Sequence, residues 1–304
     1  MTEEQRLHML QRPTGRVDVI LDTDACNEVD DQFAIGYMLR SPERLRTVVI
    51  YAAPFHNQNS SSPEDGMEKS HGEILRVAAL AGWDHPENVY KGSRTYLPDA
   101  HTPVDSPAAR DLAQRAMAYT WQRPLYVVCI GAITNVASAL LMNPAIRERV
   151  VVIWLGGNGF HWHGRQDFNM RQDIPAAQVV LGCGVPVVLL PVYGVTQVFL
   201  TTGDELRAHL LGTTPLADDL ARRAIAAGEK DSPGKPWCRN LWDPVAIGWL
   251  MDTEGKWILD EIIPSPIPDA EGRWTFDEAR HRIRCAYGMY RDPMMQDMFR
   301  RLTR

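Results

Sequence analysis

Between residues 17 and 194, short runs of branched aliphatic residues alternate with segments of helical periodicity. That alternation restricts the fold more than any other feature of the chain. Strands are expected at 17–24 (VDVILDTD), 45–54 (LRTVVIYAAP), 88–92, 124–132, 149–157 and 185–194, and helices at 30–41, 66–82, 106–120, 135–143 and 174–184. The pattern requires an α/β fold, a mostly parallel central sheet with helices on both faces, joined by right-handed crossovers. Ligands of such sheets bind beyond the carboxyl ends of the strands. The polar clusters obey that rule: DTD follows VIL, AAPFHNQNSSS follows VVIY, GAITN follows VVC, and GGNGFHWHG follows VVIWL. After residue 200 the rhythm loosens, yet no Gly-, Ser- or Pro-rich linker divides the chain, and residues 1–304 are expected to form a single domain. The polar loop 55–66 is either a lid or an inert surface loop.

At the end of the first strand, Asp22, Asp24, Glu28, Asp30 and Asp31 fall within ten residues. Carboxylates converging where water is scarce repel one another and lose hydration, and a bound cation is the simplest compensation. Hard divalent cations such as calcium take oxygen ligands. Asp24 can face such an ion while Asp22 braces from behind. Asp30 and Asp31, adjacent at a helix start, can serve one the metal and the other a water, whose proton the carboxylate accepts. Two other readings compete. The acids could cap the helix in solvent, or the DxD could be an aspartyl phosphatase site with a covalent nucleophile, to which a DD pair six residues downstream is foreign.

The formal net charge of −6 and pI near 5.9 argue against a nucleic-acid surface and favour a small or cationic partner. The five cysteines show no zinc spacing and two sit in apolar runs, which suits a reducing cytoplasm. No eighteen-residue apolar segment and no signal-peptide core suggest contact with a membrane.

Five ordered blocks, DTD…DDQFAI, IGAITNVASALLMNP, VVIWLGGN, DFNMRQDIPAAQVV with GVPVVLLPVYGVT, and WDPVAIG, resemble the inosine-uridine type nucleoside hydrolases over residues 17–250. The resemblance implies hydrolysis of the N-glycosidic bond of a ribonucleoside at a bound Ca2+. It implies that Asp24, Asp31, Asp243 and the backbone carbonyl of Ile130 hold the metal, that Asp30 takes the proton of water at that metal, and that the ribose hydroxyls complete its shell. Asp167 and Asn169 match the acid and Asn that grip the ribose, although the acid of the family is usually Glu. Relatives are usually homodimers or homotetramers. Cleavage builds positive charge on the sugar, so carboxylates around it stabilise the transition state more than the ground state.

The departures bear on the substrate. The loop DTDACNEVDD is two residues longer than the common family pattern, and Cys26 within it is expected to be a neutral, space-filling thiol. With the family's Gly-Asn after the second strand missing, Asn57 and Asn59 are candidate replacements. Asn158 is a candidate for a second missing contact, and His161 or His163 for protonating the leaving base, unless they are a surface pair. Trp242 before Asp243 resembles the purine-preferring branch and can stack on a base, with core packing the alternative; Trp237 is a weaker aromatic candidate. Purine or modified-base ribosides are therefore expected. The alternatives are another ribosylated metabolite at the same centre and a ribose-binding protein without turnover, against which the presence of Asp30 speaks.

Overall fold

The computed structural model describes every residue except Arg165. Helix α1 (Glu3–Met9) leads into β1 (Val17–Thr23), α2 (Asp31–Leu39), β2 (Leu45–Ala52), α3 (Pro63–Leu80), β3 (Val89–Lys91), α4 (Pro107–Arg115) and β4 (Leu125–Cys129). There follow α5 (Thr134–Met142), β5 (Val150–Leu155), α6 (Phe168–Gln172), α7 (Ile174–Gly182), β6 (Val187–Leu190), β7 (Leu200–Thr201), α8 (Gly203–His209) and α9 (Pro215–Asp231). The chain ends with β8 (Arg239–Asn240), α10 (Pro244–Met251), β9 (Ile258–Pro264), β10 (Ile267–Pro268), β11 (Trp274–Thr275), β12 (Arg282–Met289) and α11 (Arg291–Leu302).

Eight strands form one sheet in the order β3, β2, β1, β4, β5, β6, β12, β9. Every neighbouring pair is parallel except β12 with β9. The strands expected from the apolar runs are all present, and the looser region after residue 200 adds β12 and β9 to the same sheet. Residues Val19 to Thr23 are buried, as a central strand covered on both faces must be. Val19 and Leu21 pack into one core with α2, α3, α9 and α10, and Ile20 packs into the other with α4, α5 and α7. Residues Pro244 to Met251 of α10 are all buried, which explains why PVAIGWLM is apolar around its whole circumference. Among the described residues no helix is long and apolar enough to cross a membrane.

Several boundaries differ from the periodicity: α4 ends at Arg115 rather than at 120, and β6 takes up only Val187–Leu190 of the expected 185–194. The second long helix starts at Pro63, not at residue 66, because Ser62 accepts a hydrogen bond from Asp65 N (3.1 Å) and Pro63 suits a first turn. Much of the polar loop is thereby helix cap. Strand β4 stops at Cys129 rather than 132, where the chain leaves the sheet toward α5.

Candidate active site

Four acids meet beyond the carboxyl ends of the central strands. Asp24 follows β1, Asp30 and Asp31 open α2, and Asp243 precedes α10; their exposures are only 1 to 5%. Carboxylate oxygens of Asp30, Asp31 and Asp243 lie within 4.8 Å of one another. Asp24 is pressed against Gly131 so closely that a Cβ there would stand 2.8 Å from its Oδ1, so this turn admits only glycine without rearrangement. Asp30 occupies the cap position of α2 but makes no side-chain cap hydrogen bond; its Oδ2 accepts one from Trp242 N (2.9 Å) instead. Asp31 Oδ1 accepts a hydrogen bond from Thr23 Oγ1 (2.5 Å). These are buried, convergent groups, so the reading of solvent-facing helix caps is set aside. Asp22 lies behind them, its Oδ1 accepting from Asn135 Nδ2 (2.8 Å).

Burial raises the pKa of every member. For Asp24 and Asp243 the neighbouring acids add to the effect, led by Asp31 and by Asp30 respectively, and for Asp30 the largest added contribution comes from Glu28. Asp31 and Asp22 are each pushed up to about 7, chiefly by burial. Asp22 Oδ2 and Asp24 Oδ2 are buried without a hydrogen-bond partner. A divalent cation held among the four acids would favour their charged forms and occupy the unpartnered oxygen of Asp24. The donor set, all hard oxygen, fits a cation of the calcium type.

Above the acids lies a cavity of about 340 Å³ lined by Asp24, Asp30, Asp243, Ile130, Asp167, Asn169 and Trp242, among others. Ile130 O accepts a hydrogen bond from Asn169 Nδ2 (3.1 Å), which also donates to Leu155 O (3.0 Å). Asp167 caps α6: its Oδ2 accepts from both Gly157 N and Met170 N (2.8 Å each). Burial raises Asp167 to about 6 against those two bonds. Trp242 faces the cavity and meets Tyr193 edge-on at 5.3 Å; Tyr193 in turn stacks on Trp162 at 5.4 Å. Asn57 lines the cavity and donates to Asn27 Oδ1, while Asn59 Nδ2 donates to Asn27 O (2.9 Å). The loop after β2 is thus clipped to the long acidic loop and forms part of the wall.

Other sequence candidates fall outside. His161 and His163 are exposed and do not line the cavity; the ring of His161 lies against Gly159 and Gly194. The connection from β5 to α6 turns this stretch outward. Asn158 is not part of the lining either, and its Oδ1 accepts from Tyr193 N (3.3 Å). Trp237 packs against Gly203 and Gly228, between α8 and α9. Cys26 is a half-buried free thiol whose pKa is raised by burial, as expected of a space-filling residue. Sequence reasoning missed Tyr193, Trp162 and Arg171. Tyr193 was open to detection, because PVYG ends a buried strand on the ligand-binding edge.

The profile of a family described as inosine-uridine preferring nucleoside hydrolase matches residues 19–294. The chain belongs to this family. Among curated nucleoside hydrolases, the inosine-uridine preferring enzyme of Leishmania major is 26% identical over 168 residues, covering 53% of this chain and 52% of the relative. The pyrimidine-specific ribonucleoside hydrolase RihA of Klebsiella pneumoniae (strain 342) is 28% identical over 190 residues, covering 60% and 58%. The chain thus spans between half and two thirds of the length of these curated relatives. Solved nucleoside hydrolases share the fold: the plant enzyme PpNRh1 superposes with a TM-score of 0.75 at 18% identity, covering 94% of this chain and 99% of the other. A purine-preferring ribonucleoside hydrolase from Gardnerella vaginalis gives 0.74 at 23% identity, covering 94% and 98%.

Proposed function

We propose that this protein hydrolyses the N-glycosidic bond of ribonucleosides, giving ribose and free base, with Ca2+ held by Asp24, Asp31, Asp243 and the carbonyl of Ile130. The observation that carries the reading is the set of four buried carboxylates on the ligand edge of the sheet, one with an unpartnered oxygen, beside an aromatic wall. A bound cation there supplies positive charge that orients hydroxyl groups and acidifies a neighbouring water. Asp30 serves as base: Trp242 N fixes one of its oxygens, and its carboxylate accepts the proton of the attacking water. The water oxygen bonds to C1′ as the bond from C1′ to the base nitrogen breaks, and the electron pair leaves with the base. Asp167, Asn169 and the floor acids surround the sugar on which positive charge develops, stabilising that charge.

Trp242 and Tyr193 offer flat apolar surface to the base, which favours purine or modified-base ribosides. With His161 and His163 outside the cavity, departure of the base relies on this wall rather than on a histidine acid. The deciding experiment is a reducing-sugar assay on inosine, guanosine, adenosine, uridine, cytidine and p-nitrophenyl riboside, before and after exhaustive chelation. Chelator-sensitive release, fastest with purines, is expected. No release from any of these, with calcium present by elemental analysis, would overturn the hydrolase reading.

A further inference from the structure

The two ends of the cavity differ in chemistry. One end follows β6 and carries Tyr193, with Trp162 and Trp242 against it. The other is built where His56 N donates to Gln172 Oε1 (2.8 Å), which sets the last turn of α6 beside the loop after β2. In the sheet, β2 lies across β1, β4 and β5 from β6, so the two ends are opposed. Arg171 of α6 lines the cavity at this second end. Its guanidinium lies 5.8 Å from the Phe168 ring centre and meets no carboxylate among the described residues. Arg171 is exposed at the cavity rim, so its charge is open to a ligand from solvent. Glu28, which also lines the cavity, is answered by Arg239 (3.5 Å), and Asp167 spends one oxygen on two backbone amides, Gly157 N after β5 and Met170 N of its own helix.

We infer that the site is built for a riboside bearing a 5′-phosphate, a nucleoside monophosphate, with Arg171 receiving the phosphate. The inference rests on the hydrolase reading above. If the ribose hydroxyls sit on the acid floor and the base on the aromatic end, C4′ and C5′ lead away from the base toward α6. A guanidinium presents paired N–H donors that match phosphate oxygens, and an unpaired one needs no competing partner displaced. His56 and Gln58 stand on the same rim and add polar groups. The reaction is otherwise unchanged: water adds at C1′, the base leaves with the bonding pair, and the sugar product is ribose 5-phosphate.

The test compares base release from matched pairs, inosine with inosine 5′-monophosphate, adenosine with its monophosphate and cytidine with its monophosphate, together with calorimetric binding of ribose and ribose 5-phosphate. For the base that is accepted, the monophosphate should show at least about tenfold higher kcat/KM, mostly through KM, and ribose 5-phosphate should bind more tightly than ribose. Arg171→Gln should collapse that ratio to near unity, and Arg171→Lys should keep part of it. Nucleosides cleaved as fast as their monophosphates or faster, or a ratio untouched by Arg171→Gln, would overturn this inference and leave the hydrolase intact. Silence on every pair, with neither sugar bound, would overturn the hydrolase reading and the inference with it.

Discussion

Asp30 stands where a helix cap belongs yet gives its oxygen to Trp242 N, 212 residues away. A carboxylate held in that way, and buried, has a proton-accepting role open to it that a cap does not. Asp30→Asn keeps the shape and the hydrogen bond from Trp242 N, so bound calcium should remain by elemental analysis while base release falls about 10²- to 10⁴-fold. Near-normal turnover would remove Asp30 from the mechanism. Trp242 separates two functions, because its backbone N–H serves Asp30 and its ring serves the cavity. Trp242→Ala preserves the first and deletes the second. Purine ribosides should then lose more kcat/KM than p-nitrophenyl riboside, whose leaving group needs no help; equal losses would mean that the ring only packs. At this scale the acids of residues 22–31 were legible because they are neighbours in sequence. Asp243 could be reached only through the resemblance, and Arg171 becomes visible only once the segment after β5 is set against the cavity, whereas Tyr193 could have been read from its place at the end of a buried strand.

The longer acidic loop shows how elements hold what single residues cannot. Gln32 of α2 donates through Nε2 to Ala25 O (2.7 Å) and to Glu73 Oε1 of α3 (3.1 Å), and Arg76 grips the same Glu73 carboxylate through two bonds of 2.8 Å. From the other side Asn27 ties the loop to Asn57 and Asn59. Two neighbouring elements thus fix a loop that carries Asp24 at one end and Asp30 at the other. Gln32→Leu removes the donor and leaves a loop carbonyl poorly paired, at a cost of about 1 to 3 kcal/mol. Weaker calcium binding by calorimetric titration should accompany it, with kcat at saturating calcium close to that of the parent protein. Unchanged affinity and stability would show that the loop needs no brace. The elements themselves were largely legible, since strand and helix periods differ. The start of α3 was misplaced because Pro63 and the Ser62 cap lie outside its apolar repeat, and the short β10 and β11 are too brief to carry a period. Whether loop 55–66 was lid or surface could not be decided by composition, because the Asn27 contacts that clip it down come from another loop.

Across the whole molecule, the cation site joins the start and the end of the sheet's helical cover. Asp24 and Asp31 come from the first crossover, and Asp243 from the buried helix α10, which packs on α2. Burial raises the pKa of all four acids, and neighbouring carboxylates raise those of Asp24, Asp30 and Asp243 further, so folding without a cation must either protonate them or bear their repulsion. Binding that occurs only in the folded state stabilises it by mass action, by about 2.7 kcal/mol at a hundredfold excess over Kd. For a chain of 304 residues, with an unfolding entropy of about 2.1 cal/mol/K per residue, each kcal/mol moves Tm by about 1.5 to 2 °C. Exhaustive chelation should therefore lower Tm by about 4 to 5 °C, and calcium in excess should restore it, whereas Asp243→Asn should show a smaller calcium-dependent shift. The size of that shift is independent of any substrate. A protein that binds ribosides without turnover would give the same thermal response as an enzyme, so the response tests the cation site alone. A Tm indifferent to both chelator and calcium would mean that protons, not a divalent cation, neutralise these carboxylates.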